Sequence, residues 1–413
     1  MVVSFTADRR SGRHLGLKKA MGAGALLLLA PSFAAAQGLG VVPPSGNAEM
    51  YEARIDKEGE RNRVLNEMEV GARSFWQGDI DRSRVMLDDA ILRIESVYNN
   101  NAAAQKARSL WYSESVKPFK GEPYERVMVY YYRGLLYLRA GDYENARAAF
   151  RQGQMQDAFA EEEQFQCDFA IMLFLEAWAS HLNHDYALRD ETLERLAKLR
   201  SGFPGIGKDD DTLIIAETGS APRKLGDGAA HAYFVYKRGK GFTESSAVLM
   251  GAGGEAPFYP MEDVYWQANT RGARQIDKIL NGKVEFVNTS NAVGSTLLKG
   301  ADIALTVSSV AQSNTILHDS SVGRIAGDVG VGMGAVGGVI ALIAANAKPT
   351  ADTRTWSSLP DGIHILTLNS KKAAGAKLVA QFRNPDGTPA GVEKELALEP
   401  SGKNGKMALV RSR

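Results

Sequence analysis

The sequence has few of the residues that cross-link a chain or give it a strong charge. Among 413 residues there is one cysteine, Cys167, so no disulfide can form within the chain. The 49 Lys and Arg residues nearly cancel the 48 Asp and Glu residues, which leaves a net charge of +1. These absences exclude a disulfide framework and give no indication of a nucleic-acid partner.

Motifs that carry catalysis or bind cofactors are also missing. The chain has neither a nucleophile elbow nor a phosphate-binding loop. Gly332, Gly334 and Gly337 have the spacing of a dinucleotide fingerprint, but the strand and the acidic residue that this motif needs are not evident. His181 and His184 are spaced like a metal-binding pair without a third ligand nearby, so turn residues are the favoured interpretation. We therefore expect no enzyme active site, no cofactor and no metal.

The N-terminus has the three parts of a secretory leader. Five basic residues come first, an apolar run at 20–30 is too short to span a bilayer, and Ala34-Ala35-Ala36 forms a small-residue cleavage site. Cleavage of residues 1–36 after Ala36 would leave 49 − 5 = 44 basic and 48 − 1 = 47 acidic residues. The chain is predicted to be exported to the periplasm or cell envelope. Arg9-Arg10 keeps the twin-arginine route open beside the general one.

Residues 46–200 show apolar residues at helical spacing and are predicted to form an all-helical domain. One stretch resembles a tetratricopeptide repeat, with a small residue where two helices touch, a glycine at their turn and aromatic residues between them. Its packing residues are Gly134, Tyr137, Gly141, Tyr143, Ala146 and Phe150. Weaker copies are centred on Gly71 with Gly78 and on Ala177 with His184. Since one repeat cannot bury its own apolar face, we expect at least three stacked units.

The residue composition and the spacing of apolar residues change after residue 200. Residues 201–211 are rich in glycine and aspartate and are predicted to be a linker. Residues 212–413 contain short alternating runs and are predicted to form a mixed, β-rich domain, with a glycine-rich helix near 325–347. The uncharged run Val329–Ala347 is long enough to cross a membrane, but its glycines weaken a membrane helix. A helix packed within protein is favoured, membrane insertion is the alternative, and the predicted fold class is α+β.

Two groups of residues are candidates for contacts. Lys120, Glu122 and Arg126 surround a Gly-Glu-Pro turn that should begin a helix, and they are candidates for a charged contact with a partner. The alternative is that they are solvated residues beside a helix. Arg354 and Trp356 are separated by one residue, so in an extended segment both face the same side, and the guanidinium could stack on the indole. We interpret this pair as an inter-domain anchor.

Three separated segments give the chain a family resemblance. They are Lys117-Pro-Phe-Lys-Gly-Glu-Pro-Tyr-Glu-Arg126, Ala216-Glu-Thr-Gly-Ser-Ala-Pro-Arg-Lys224 and Ala351-Asp-Thr-Arg-Thr-Trp-Ser-Ser-Leu-Pro360. Together they resemble a family of uncharacterised bacterial envelope proteins, often lipoproteins, that carry tetratricopeptide-like helices. The resemblance implies no established activity, and it points to partners among envelope proteins connected with cell-wall synthesis. This chain departs from the family because no lipidation cysteine stands at the end of its leader.

These patterns together predict a non-enzymatic, exported envelope scaffold. It would bind a partner protein or peptide in the groove of its helical repeats, since stacked helix pairs form an extended concave surface. Two alternatives remain: an oligomer inserted in a membrane through its glycine-rich segment, and a hydrolase acting on an envelope polymer.

Overall fold

The computed structural model describes residues 47–96, 118–157, 168–227, 233–251, 254–271, 352–373 and 375–413. The predictions for the leader, for Cys167 and for the glycine-rich helix concern residues outside these ranges.

The described part of the chain contains eight α-helices. They are α1 Ala48–Glu58, α2 Arg63–Gln77, α3 Ile80–Ser96, α4 Pro123–Ala140, α5 Tyr143–Asp157, α6 Ala170–Leu182, α7 Tyr186–Leu199 and α8 Val264–Arg271. Short 3-10 turns occur at Gly59–Arg61 and Ser370–Ala373. Judged by length and apolar content, none of the helices in the described ranges could cross a membrane.

Helices α2 to α7 form three pairs with the same turn. Each turn contains a left-handed residue, with φ of 81° at Gly78, 75° at Gly141 and 62° at His184. Gly78 and Gly141 directly follow the first helix, whereas His184 is the second residue after α6. The residue after the left-handed one donates its N–H to the carbonyl five positions earlier, as in a Schellman motif. These bonds are Asp79 to Ser74 at 2.9 Å, Asp142 to Tyr137 at 3.0 Å and Asp185 to Ser180 at 2.9 Å. The same turn conformation and hydrogen bond therefore connect the two helices in all three pairs.

In the pairs α2–α3 and α4–α5 the two helices approach closely at a glycine. A Cβ atom added to Gly134 would lie 2.2 Å from Cε1 of Phe150, and one added to Gly71 would lie 2.7 Å from Cδ2 of Leu87. In both pairs the large residue follows the small one by 16 positions. A side chain at either glycine would push the helices apart, since cores tolerate added volume poorly.

Eleven strands in the described ranges form three sheets. The strands are β1 Thr212–Thr218, β2 Arg223–Asp227, β3 Tyr233–Lys237, β4 Ser246–Gly251, β5 Gly254–Pro257, β6 Tyr259–Asp263, β7 Gly362–Leu368, β8 Val379–Arg383, β9 Pro389–Glu395, β10 Glu399–Ser401 and β11 Gly405–Arg411. The orders are β10-β11-β1-β7-β6, β2-β3 and β5-β4-β8-β9. Strands β1 and β11 are parallel, and the other pairs are antiparallel.

The five-stranded sheet lies between the helices and the four-stranded sheet. Leu213 and Ile215 of β1 belong to the core that contains the helices, whereas Ile214 and Ala216 belong to the core shared with Phe382 of β8. Successive residues of a strand point to opposite faces, so β1 is buried on both faces and reads as a continuous apolar run. The fold is α+β, with helices in the N-terminal half and sheets at the C-terminus, as the sequence predicted.

The turn between β10 and β11 lies directly on the turn between α4 and α5. A Cβ atom added to Gly141 would lie 2.4 Å from Cα of Gly402. The Tyr143 hydroxyl donates to the carbonyl of Ser401, and the Ser401 hydroxyl donates to the carbonyl of Leu138 at 2.6 Å. Helices and sheet therefore share hydrogen bonds as well as one apolar core.

Candidate functional site

Three of the segments described in the sequence, around Glu122, Lys224 and Trp356, meet at one place in the fold. The first begins helix α4, the second joins β1 to β2, and the third leads into β7. Nζ of Lys224 lies 2.5 Å from Oε1 of Glu122. Oε1 of Glu125 accepts the N–H of Trp356 at 2.7 Å. Residues more than 100 positions apart in sequence are therefore in direct contact.

Five charged side chains form the centre of this site, and we refer to them as the junction cluster. Its members are Glu122, Glu125, Lys224, Asp352 and Arg354. Glu125 is fully buried, and the side chains of Glu122 and Lys224 are 8% and 1% exposed. Arg354 binds both carboxylate oxygens of Asp352, with Nε to Oδ1 at 2.8 Å and Nη2 to Oδ2 at 2.6 Å. A buried charge requires such partners, because removal from water is otherwise costly.

Burial and charge act in opposite directions within the junction cluster. Burial raises the pKa of Glu125 to about 7, although Lys224 opposes this shift. Burial also disfavours the charge of Lys224, but Glu122, Asp352 and Glu125 together raise the pKa of Lys224 above its usual value. Burial opposes the charge of Asp352 as well, yet hydrogen bonds from Arg354 lower the pKa of Asp352. Burial thus brings the pKa of Glu125 close to neutral pH, whereas the partners of Lys224 and Asp352 favour their charged forms.

The local sequence explains why two glutamates lie at the start of α4. Glu122 is the N-cap, Pro123 occupies the first turn, and Glu125 accepts the N–H of Glu122 through Oε2 at 2.7 Å, forming a capping box. Gly121 permits the preceding bend with a φ of 75°. The helix N-terminus stabilises negative charge, so the capping residues also place two carboxylates beside β2.

The structure places two of the three proposed contact residues in its interior. Glu122 and Arg126 are 6% and 5% exposed, and only Lys120 is partly accessible. Nη1 of Arg126 donates to the carbonyl of Gly121 at 2.9 Å, and its Nε donates to Gln156 at 3.2 Å. The turn before α4 folds back against β2 and α5, so Glu122 and Arg126 hold the interior together and do not present a charged surface.

Arg354 and Trp356 contact different neighbours. The guanidinium of Arg354 lies 5.4 Å from the ring centre of Phe119, and Nη1 donates to the carbonyl of Arg61 at 2.7 Å. The fully buried indole of Trp356 packs against the ring of Tyr132, with ring centres 5.9 Å apart. Arg354 and Trp356 thus each contact a different residue of the helical half. The anchor role stays a prediction, and each contact ties the segment before β7 to the helical half.

A second buried network lies beside the junction cluster and was not anticipated from the sequence. Glu217 at the end of β1 binds Nη2 of Arg411 at 2.7 Å and accepts the hydroxyls of Tyr131 at 3.2 Å and Tyr132 at 3.1 Å. Burial raises the pKa of Glu217, against the opposing charge of Arg411. The available indication was a glutamate that follows the apolar centre of β1, because a buried glutamate needs a partner.

The chemistry open to these residues is limited by their burial. A carboxyl group that titrates near 7 suits a general acid or base, but Glu125 has no exposed surface and both of its oxygens accept hydrogen bonds. Both ring nitrogens of His181 have partners, at 2.7 Å from the carbonyl of Asp210 and 3.2 Å from Arg189, while His184 lies at an exposed turn. Within the ranges that the structure describes, no three His, Cys, Asp or Glu side chains are placed to hold a metal.

The junction cluster must be interpreted from its own geometry. No protein-family model, no curated protein and no solved structure matches this chain.

Proposed function

We propose that this chain is a non-enzymatic, exported scaffold of the bacterial envelope, which binds a partner protein or peptide through tetratricopeptide-like helix pairs. The observation that carries the proposal is the equivalence of the pairs α2–α3, α4–α5 and α6–α7. Stacked helix pairs of this kind create extended surfaces that bind other chains.

Each pair has the same three positions at the same spacing. A small residue in the first helix is followed by the left-handed turn residue after seven positions and by a large apolar residue after 16. The three sets are Gly71, Gly78, Leu87; Gly134, Gly141, Phe150; and Ala177, His184, Leu193. Chance would not be expected to preserve both intervals three times, so this regularity supports a repeat.

The inner helices are not the surface that we assign to a partner. Every residue of α6 is buried, and residues of α2 and α4 share a core with Leu213 and Met407 of the five-stranded sheet. The inner helices therefore pack against the rest of the protein's own interior. Six large apolar side chains are exposed in the described ranges, and five of them lie on the outer helices α3, α5 and α7. These five are Val85, Leu92, Met155, Tyr186 and Leu188, and the sixth is Trp266 on α8.

The outer helices are thus the proposed partner surface. Leu92 of α3 is 65% exposed and Met155 of α5 is 55% exposed. Val85 precedes Leu92 by seven residues, so both lie on one side of α3. Exposed apolar residues along neighbouring helices are typical of surfaces that bind proteins. The junction cluster would then fix the helices rigidly on the sheet.

The proposal can be tested by photo-crosslinking in cells. A photoreactive amino acid would replace Leu92 or Met155 on the outer helices, and Lys394, which is exposed on β9, as the matched control. We expect a discrete protein adduct from the helical positions and none from Lys394. Equal adducts at all three positions, or cleavage of cell-wall fragments by the purified protein, would contradict a helix-bound scaffold. Replacing Glu122 and Arg126 would test folding instead of contact, since both are buried.

Carbonate extraction of membranes tests the alternative of membrane insertion. The scaffold proposal expects the mature protein in the extracted fraction. Retention in the membrane would support insertion of Val329–Ala347, because carbonate removes proteins that are held only at the surface. A variant with Gly334 replaced by Leu should lose solubility or assembly if the segment packs against protein.

A further inference from the structure

The outer face of helix α3 carries acidic and apolar side chains in alternation. Residues spaced by three or four positions lie on one side of a helix, because one turn contains 3.6 residues. Five such residues form what we call the acidic stripe, and in chain order they are Asp81, Val85, Asp88, Leu92 and Glu95. Leu92 is the most exposed large apolar residue in the described ranges. Each apolar residue of the stripe has a carboxylate about one turn before it and another about one turn after it.

The arginines nearest to the acidic stripe neutralise only part of its charge. Asp88 accepts two hydrogen bonds from the buried Arg133, at 2.6 and 3.3 Å. Arg84 of α3 lies 3.7 Å from Asp81, whose side chain is almost fully exposed. Glu95 forms no ion pair with any residue of the described ranges. The stripe therefore keeps negative charge at its exposed surface.

The wider surroundings of the acidic stripe are also acidic. The other two arginines of α3 are each paired with two glutamates, Arg82 with Glu49 and Glu52, and Arg93 with Glu60 and Glu67. Arg63 shares Glu60 and Glu67. The charged residues of α3, their ion-pair partners and Arg63 together comprise eight carboxylates and five guanidinium groups. The excess of three negative charges favours a positively charged partner.

The equivalent face of α5 provides an internal comparison. The first two helix pairs are offset by 63 positions, the interval between their packing glycines. The residues of α5 that correspond to the first four of the stripe are Glu144, Ala148, Arg151 and Met155. Met155 keeps the exposed apolar position of Leu92, but Arg151 stands where α3 has Asp88. The two faces are therefore alike in exposed apolar area and different in charge.

We propose that the acidic stripe binds a basic amphipathic segment of another protein, with apolar side chains on Val85 and Leu92 and lysine or arginine side chains beside the carboxylates. This inference rests on the proposed function, because it names the kind of partner that the outer helices receive. Apolar contact supplies affinity, while complementary charge sets the position of the segment and speeds association. At 1.5 Å per residue the stripe is about 21 Å long, which matches a helix of about four turns. The same carboxylates repel nucleic acids and anionic lipid surfaces.

Fluorescence anisotropy of the full mature chain with two labelled peptides tests this inference. One probe is a helical peptide of about 15 residues with leucine on one face and lysine beside it, and the other has glutamate in place of each lysine. We expect the lysine peptide to bind at least about tenfold more tightly, and its affinity to fall as salt is added. Equal binding of the two peptides, or no binding of the lysine peptide, would overturn the proposal.

Three variants locate the binding site. Leu92→Ser should weaken binding of the lysine peptide about tenfold, and Met155→Ser by less than about threefold, because Arg151 repels the lysines. Both side chains are mostly exposed, so neither substitution should disturb folding. Glu95→Gln keeps an acceptor for the hydroxyl of Tyr130, at 2.7 Å, and should weaken binding about threefold at low salt and less at high salt.

The outcomes separate this inference from the proposed function. Equal losses in Leu92→Ser and Met155→Ser would refute the charge-selective site on α3 and leave the outer helices as the partner surface. Absence of protein adducts at both positions in the crosslinking experiment would contradict the proposed function and, with it, this inference. A crosslinked partner segment at position 92 that is rich in lysine or arginine would support both.

Discussion

Glu122 and Lys224 are 102 residues apart in the sequence and join their side chains in the interior at 2.5 Å. The pair connects the first turn of α4 to strand β2. It is one of several charged contacts that hold the helical half to the sheet half, and it allows a direct measurement of what that connection contributes.

Replacing Lys224 with Met should destabilise the protein strongly. The variant leaves Glu122 buried without its cation, and breaking a buried ion pair in this way typically costs about 3–5 kcal/mol. The double variant Glu122→Gln with Lys224→Met should recover part of this loss, because no unpaired charge remains there. Urea unfolding of the two single variants and the double variant gives the coupling energy. Additive losses would show that the pair does not act as a unit.

Gly78 and Gly141 form a matched pair for measuring how the helices dock on the sheet. Both have positive φ, at 81° and 75°, but an added Cβ meets nothing within 4 Å at Gly78 and would meet the backbone of Gly402 at Gly141. Gly78→Ala should therefore cost only the backbone strain, about 1–2 kcal/mol. Gly141→Ala should cost about 1–3 kcal/mol more through overpacking. Equal losses in chemical denaturation would mean that the β10–β11 turn does not press on this helix turn.

Replacing His184 with glycine should stabilise the protein. His184 is the non-glycine residue with positive φ among the described residues, at 62°, and it occupies the turn position that Gly78 and Gly141 hold in the other pairs. His184→Gly should raise the unfolding free energy by about 0.5–1 kcal/mol, because relief of left-handed strain exceeds the added chain entropy. Thermal unfolding measures the gain. His184→Ala keeps the strain and serves as the control, so a similar gain in both variants would contradict this explanation.

The helical pattern was predictable because its determinants are local. Gly134 and Phe150, the turn at Gly141 and the cap at Glu122 are determined by residues a few turns apart. Strand β1 is predictable for the same reason, since its β-branched residues form a run that is visible without knowledge of its neighbours.

The site itself could not be read from the sequence in the same way. Whether Glu122 is a surface contact or an interior one depends on Lys224, and no local pattern pairs residues so far apart. Strands such as β9, with mostly exposed residues, lack the apolar run that would have revealed them. The segments 117–126, 216–224 and 351–360 could each be singled out in the sequence. Their meeting at Glu125 and Trp356 is a property of the folded chain.

Export can be tested by intact-mass measurement of protein from the envelope fraction. Cleavage after Ala36 should give a chain that begins at Gln37. We expect cleavage at this position because a small-residue site follows a short apolar run. Recovery of a chain that still starts at Met1 would contradict cleavage.

His364 of β7 is buried, and the negative charge of Asp263 compensates only in part for the loss of water around the imidazole. Burial lowers the pKa of His364 to about 4 from 6.5, and Nε2 lies 3.0 Å from the hydroxyl of Thr218. As the pH falls from about 6.5 toward 4, the unfolded chain takes up a proton that the native chain resists. The contribution of His364 to stability is therefore present above this window and is lost as the pH decreases.

Replacing His364 with Gln should remove this acid sensitivity. The difference in unfolding free energy between wild type and His364→Gln should shrink by up to about 1.4 kcal/mol per pH unit as the pH falls from 6.5 to 4. Asp361 gives a control of opposite sign, because burial raises the pKa of Asp361 to about 6 from 3.8, so its contribution is lost as the pH rises. Urea unfolding across this range measures both slopes. A difference for His364→Gln that stays constant with pH would show that this histidine is already solvated in the native state.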